Sequence, residues 1–473
     1  MRTEHVARRE RLGLRRPYVV GALALVAAAF LLGWYRFATY RSLTMDLAVF
    51  DQAIWKLARG HGPEVTVIGW NVFADHLSPV LLLFVPLYRV AATPLWLLLA
   101  QAISFAAGFL ALPALLRAAG VDRKLHPGFL VAYAASPLVW NALLVDFHPT
   151  TLAVPFLLVG LTAALRDDLR TLVVASVALL LLRDDLGLAV AAMAVVGWTS
   201  TSSSRERRAR VMVAAGGLAW VLVGGAVGSA LGASRHWLPR YGYLASTPAD
   251  ALLQPWRTLP RLVLGLGGVD NLTLLVACVG TLAFLPVLSP RRLLLAGFVA
   301  LPFLAADDPN LHSLSFHYQA PVLPFLLLAA ATGVTRLTAE RARVAGRVLV
   351  PAFTVLVLLA LGPLDTRSLT DETVRADDAR RAVSSVGPND RVVASDQLAP
   401  HLSQRAFLLP YPYPFAHAHQ RFPVAASVAR VSPRVAGTID AVVIGSPVTP
   451  DLPGFAPHRY GTVVVYRRSA DGR

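Results

Sequence analysis

The 473-residue chain is 55% apolar and only 15% charged, whereas a soluble domain carries about a quarter of its residues as charge. With a mean hydropathy of +0.56 and several stretches near the roughly 20 apolar residues that span hydrocarbon, the sequence reads as a polytopic membrane protein. Its net charge of +16 sits in clusters between apolar runs, a pattern that excludes a nucleic-acid surface and reports membrane orientation, while the single cysteine, Cys278, excludes an intrachain disulfide and a cysteine-based metal site.

The basic N-terminus, "MRTEHVARRERLGLRRP", precedes apolar residues 18–33 with no small-residue cleavage pattern after them, so it predicts an uncleaved first helix with its N-terminus in the cytoplasm. Further spans are expected at about 94–116, 127–145, 150–165, 171–183, 187–198, 211–231, 271–288, 293–306, 319–337 and 346–362. The run 77–91 is broken by Pro79 and Pro86 and is read as a re-entrant or interfacial helix. That choice puts Arg117, Arg123, Lys124, "SRERRAR" (204–210), Arg291, Arg292 and the basic stretch 336–347 on one side. The positive-inside rule then gives about eleven spans, N-terminus inside and C-terminus outside the plasma membrane.

Three other regions stand out. Residues 38–76 form an amphipathic first outer loop. Residues 234–270 form a long outer loop carrying Trp237, Tyr241, Tyr243 and Trp256 among Arg235, Arg240, Arg257 and Arg261. From 363 onward a helix-like stretch precedes the strand-like runs 391–396, 440–445 and 462–468, which predicts a small α/β extracytoplasmic domain over 363–473. The segment 408–423 reads as proline-punctuated loop. "RDDL" occurs at 166–169 and 183–186, on opposite faces of the expected topology, so the match is accidental.

The same topology gathers acids and histidines on the outer face. Asp46 and Asp51 lie on an amphipathic helix with Leu47, Phe50, Ile54 and Leu57 on its apolar side. An N-terminal cap and a solvated face explain them as well as a reaction centre does. His76 in "ADHLSP" and Asp146 with His148 in "DFHPTT" stand before prolines that open apolar runs, where capping is the alternative role. None of these pairs has metal-ligand spacing, so no metal or other cofactor is expected. Arg183, Asp184 and Asp185 lie between two short spans, a depth at which charges face a wet cavity or one another. His317 and Tyr318 sit at the mouth of the next span, where an aromatic belt is the competing reading.

In order along the chain, "MDLAVFDQAIWKLARG", "HLSPVLLLFVPLY", "DFHPTTLAVPFLL", "LLRDDLGLAV", "FHYQAPVLPFLLLAAA" and "VVASDQLAPHLSQR" resemble domain-of-unknown-function family 2079, predicted prokaryotic polytopic membrane proteins. That family is similar in turn to the GT-C glycosyltransferases, which include protein mannosyltransferases and aminoarabinose transferases. The resemblance implies a mainly α, GT-C-like bundle over 1–362 that takes a sugar from a polyprenyl-phosphate on the outer face. It implies Asp46, then Asp51, as the base. It gives Arg183 the lipid phosphate with Asp184 as the adjacent acid, places His76 where those enzymes often have His or Lys before prolines, and sets Asp146 near a second acidic position. His148, His317 and Tyr318 complete the expected substrate-binding set.

The expected partners are a polyprenyl-phosphate lipid, membrane lipids and an acceptor of unstated kind, with no nucleic acid. A transporter or flippase of a lipid-linked or small polar substrate, or a non-catalytic envelope protein, are the alternatives. The latter would leave no cavity above Asp46 and Arg183.

Overall fold

The computed structural model describes residues 16–198, 203–232, 238–360, 373–411, 437–445, 452 and 454–469. Arg235 and Trp237 of the long loop and the first fifteen residues lie outside them. We number only helices of eight or more residues. They are α1 (Arg16–Ala38), α2 (Val49–Ala58), α3 (Leu95–Ala118), α4 (His126–Ala134), α5 (Pro137–Leu144), α6 (Ala153–Leu165), α7 (Leu169–Leu182) and α8 (Gly187–Val196), followed by α9 (Ser204–Ala230), α10 (Pro255–Leu266), α11 (Val269–Gly280), α12 (Pro290–Leu304), α13 (Leu323–Val334), α14 (Val350–Ala360) and α15 (Ala376–Ser384).

Helix occupies every one of the eleven expected segments, but the helices differ in length. Among the described residues, α1, α3, the run Arg123–Leu144, α9 and Ala339–Ala360 are long and apolar enough to cross a membrane alone, with α10 and α11 making a sixth if their bent pair is one span. Helices α6, α7, α8 and α13 have only 10 to 14 residues. A 14-residue helix covers about 21 Å of a ~30 Å hydrocarbon core, so helix length alone does not establish eleven full crossings. The run 77–91 forms a six-residue 3-10 turn, Pro79–Phe84, and a six-residue helix, Val85–Val90, likewise too short to span.

Local sequence sets the joints. Ser203 and Glu206 close a reciprocal capping box at the start of α9. Asp168 caps α7 through the Thr171 amide, and Asp167 pairs with buried Arg210 at 2.6 Å. The first "RDDL" is therefore a structural joint, one full helix away from the second. Gly217, Gly224 and Gly228 are buried along α9. A Cβ on Gly217 would meet the Gly187 carbonyl oxygen at 2.6 Å, one on Gly224 would meet Asp184 at 2.3 Å, and one on Gly228 would meet the Ala74 carbonyl oxygen at 2.8 Å. Small residues thus let α9 come close to the two segments that carry His76 and Asp184.

The C-terminal strands are β3 (Val392–Ala394), β4 (Leu408–Pro410), β5 (Ala441–Gly445), β6 (Phe455–Tyr460) and β7 (Val463–Arg468), after the small β1–β2 pair at Glu64–Val65 and Trp70–Asn71. They form one sheet in the order β4-β3-β5-β7-β6, with β3 parallel to β4 and β5, and β7 antiparallel to β5 and β6. Alternation divides its faces. Val392, Ala394, Val443 and Val465 join the main apolar core, while Val393, Val442, Ile444 and Val464 form a second cluster. The three strands expected from sequence are present. Strand β4 begins the segment read as loop, and residues 412–423 of that segment lie outside those described.

Candidate functional site

Five chain connections converge at one end of the bundle. Asp46 lies in a π-helical turn, Thr44–Ala48, that leads into α2. His76 follows a short turn capped by Asn71. His148 follows Asp146, whose φ of +68° turns the chain sharply between α5 and α6. Arg183 ends α7, and His317 and Tyr318 start the turn before α13.

Arg183, only 6% exposed, is the hub. Its Nη2 donates to His76 Nε2 at 2.7 Å, and its Nη1 faces His148 Nε2 and Thr150 Oγ1, each at 3.1 Å. Its Nε stands 2.9 Å from Asp185 Oδ1, an ion-pair contact whose alignment gives neither atom a hydrogen bond. Because His76 Nε2 accepts, its Nδ1 carries the proton and donates to Asp184 Oδ1 at 3.1 Å. Burial opposes ionisation of Asp184, but the His76 hydrogen bond and then its charge and that of Arg183 outweigh it and hold this carboxyl below its ordinary value.

His148 is differently placed. Its Nδ1 faces the Thr150 amide at 3.2 Å while its Nε2 faces Arg183. A neutral imidazole keeps one N–H, so one of these two contacts sets donor against donor. The His317 ring stacks on it, 3.7 Å between centroids and 13° between planes. Both His317 ring nitrogens are buried without a hydrogen-bond partner, and Nδ1 points at Asp46 Oδ2 3.9 Å away. Burial first, then His317 and Arg183, lower the basicity of His148; burial first, then Arg183, lowers that of His317.

Burial, and next the charge of Asp146, push the Asp46 carboxyl well above its ordinary value, with Arg183 opposing. Asp75 and Asp396 add to the rise, so the C-terminal segment brings an acid to the rim. Tyr318 lies 4.4 Å from the His317 ring; burial and then Asp46 push its phenol up to about 12.

The structure separates two expected residues from this cluster. Asp51 is fully buried, and its oxygens accept from Tyr88 at 2.7 Å, Ser403 at 2.5 Å and Gln404 at 3.2 Å. These bonds tie α2 to the short helix Val85–Val90 through Tyr88 and to the C-terminal segment through Ser403 and Gln404, so Asp51 serves as an anchor between them. Asp146 accepts from Arg36 at 2.7 Å, Ser42 at 3.0 Å and the Leu43 amide at 3.0 Å, a buried pair that holds the end of α1 against the turn before α6. Three of its acceptor positions are thus held by the fold. Arg36, Thr150, Asp396 and Ser403 were not singled out from sequence; of these, Ser403 and Asp396 sit in the motif "VVASDQLAPHLSQR", which was their one visible signal.

His76, Asp184 and Asp185 offer ligand atoms within 4.8 Å of one another, enough for a metal ion. The cation already among them is Arg183, and a second positive charge there would meet its repulsion. Beside Thr150 and Asp185 a small hollow of ≈ 20 Å³ lies between α8 and α12, lined otherwise by apolar residues that include Leu188, Val299, Phe303 and Pro321.

The fold is a bundle of apolar helices with an acid–imidazole–guanidinium cluster at one end and a small sheet in its C-terminal part. The chain belongs to the DUF2079 family of predicted membrane proteins, whose model matches residues 36–426. Among solved structures it is similar to ArnT from Cupriavidus metallidurans bound to undecaprenyl phosphate, with TM-score 0.54 and 15% identity over 95% of this chain and 98% of that one. The apo state of the same protein matches with TM-score 0.50 and 13% identity over 96% and 99%. At these identities the likeness is one of fold. No curated protein matches the chain in sequence.

Proposed function

We propose that this protein is a membrane glycosyltransferase that takes a sugar from a polyprenyl-phosphate and delivers it to an acceptor on the outer face of the plasma membrane. The observation that carries the reading is the position of Arg183, a buried guanidinium that meets His76 and His148 and lies one imidazole stack away from Asp46. A lipid-borne phosphate suits a buried guanidinium whose one carboxylate contact, Asp185 at Nε, is not aligned as a hydrogen bond and whose Nη1 faces only His148 and Thr150. The ArnT neighbour is described as bound to undecaprenyl phosphate, which supports the lipid class.

In this mechanism Asp46 takes the acceptor hydroxyl proton, and the freed oxygen bonds the anomeric carbon. The bond from that carbon to the phosphate oxygen breaks, and the phosphate leaves with the electron pair into the Arg183 contact. A raised carboxyl value makes Asp46 a stronger base at neutral pH. Direct displacement inverts the anomeric centre. Residues 1–362 form the membrane part with eleven crossings and the N-terminus inside, and 363–473 the extracytoplasmic domain that presents the acceptor.

The experiment is transfer from a glycosylated polyprenyl-phosphate pool by the purified, reconstituted protein, read as release of polyprenyl phosphate. The account expects Asp46→Asn to slow release at least about a hundred-fold while the protein stays folded. Undiminished release by that variant removes Asp46 as the base.

A further inference from the structure

Helix α10 follows the turn Pro248–Leu253 and precedes α11 at a 60° bend. Along it Trp256, Leu259 and Val263 recur at helical spacing and are 68, 57 and 65% exposed, with Leu264 and Pro260 beside them. The opposite side, Thr258, Leu262, Gly265 and Leu266, rests on the protein, and Tyr243 lies against Gly265. Arg257 and Arg261, four residues apart, flank the apolar stripe and are exposed, each holding one contact, to Gln254 Oε1 at 3.0 Å and the Leu244 carbonyl at 3.1 Å. No residue of α10 is buried.

We infer that α10 is seated in one monolayer of the membrane, with its Trp256–Leu259–Val263 stripe among acyl chains and Arg257 and Arg261 on anionic lipid headgroups. Charge and shape select this occupant. A helix crossing the hydrocarbon would carry two guanidinium groups into it. A re-entrant helix would be wrapped in protein, and this one is not. The bend turns α10 away from the axis of apolar α11 toward the plane of the interface, where an aromatic ring beside a strip of aliphatic residues and flanking arginines is at home.

The placement gives the surface a purpose. The segment 240–243, which leads to that turn, is fastened to the end of α12 and the residues just after it: Tyr241 donates to the Pro302 carbonyl at 2.8 Å, Tyr243 to the Ala305 carbonyl at 3.0 Å, and Arg240 pairs with Asp308 at 3.2 Å. Pro302 and Phe303 of α12 line the small hollow beside Thr150 and Asp185. The seated helix therefore ties this end of α12 to headgroup depth. This placement stands whatever chemistry the cluster performs.

The test uses the full chain with Cys278→Ala, reconstituted in bilayers with and without phosphatidylglycerol, and single cysteines at Val263 or Arg257 carrying a nitroxide. Accessibility to oxygen and to a neutral nickel chelate reads depth. The inference expects the 263 label to be several-fold more accessible to oxygen than to nickel and the 257 label the reverse. It also expects the 263 label to move deeper as phosphatidylglycerol is added, and R257Q/R261Q to remove that dependence. A nickel-accessible 263 label means the helix stands off in water, and an oxygen-accessible 257 label means a broken span; either overturns the inference. A 263 depth indifferent to phosphatidylglycerol in the unmutated helix overturns its anionic-lipid part.

Discussion

Asp46 Oδ2 and His317 Nδ1 stand 3.9 Å apart, and the imidazole between Asp46 and the Arg183 hub is stacked on a second one. If Asp46 is the base, transfer falls as pH drops through its carboxyl value. Burial and Asp146 raise that value, so the acidic limb of the rate profile lies above the ~4 expected for a free carboxyl. Asp46→Asn loses the limb and about 10²–10⁴ in kcat. His317→Asn, which removes only a neighbour of the base, lowers kcat roughly ten-fold and leaves the limb in place. Initial rates over pH 4.5–8 distinguish the two.

The close approach of α9 is tested by adjacent glycines. A Cβ at Gly224 would press on Asp184 at 2.3 Å, whereas one at Gly225 meets nothing within 4 Å. Gly224→Ala displaces Asp184 from His76, costs about 1–3 kcal/mol in stability and lowers transfer. Gly225→Ala leaves transfer unchanged and adds up to about 1 kcal/mol of helix preference. Thermal midpoints and activities of the pair check this.

Asp51 makes the joint between α2 and the C-terminal segment pH-dependent. Burial raises its carboxyl to about 6 against the hydrogen bonds of Ser403, Tyr88 and Gln404. A raised value means that the folded chain holds the proton more tightly than the unfolded one. Its stabilising share is therefore full below about pH 4 and lost as pH rises through 6, on the order of 3 kcal/mol in total. Thermal unfolding in detergent at pH 5 and 7.5 should show the unmutated protein losing more stability than Asp51→Asn over that interval.

The bundle was legible because membrane helices announce themselves as apolar runs bounded by arginine. All eleven runs are helical, and the strands at 392–394, 441–445 and 463–468 fall within the β-branched stretches. Convergence of His76, His148, Arg183 and His317 could be anticipated, since they share one side of the expected topology. What sequence could not separate were acids with different partners. Asp51 and Asp146 look like Asp46 in the chain, but the donors that consume them, Ser403 and Arg36, are 352 and 110 residues away. Nor does short local pattern show that Arg183 sits between His76 and Asp185, which depends on glycines of α9.

The most direct measurement is binding of undecaprenyl phosphate to the reconstituted protein, compared with undecaprenol, by native mass spectrometry. The account predicts saturable binding that requires the phosphate, weakens at least ten-fold in Arg183→Gln, and is partly kept in Arg183→Lys, which retains charge without the planar fork. Equal binding of undecaprenol, or an Arg183→Gln variant that binds undecaprenyl phosphate as tightly as the unmutated protein, would contradict it.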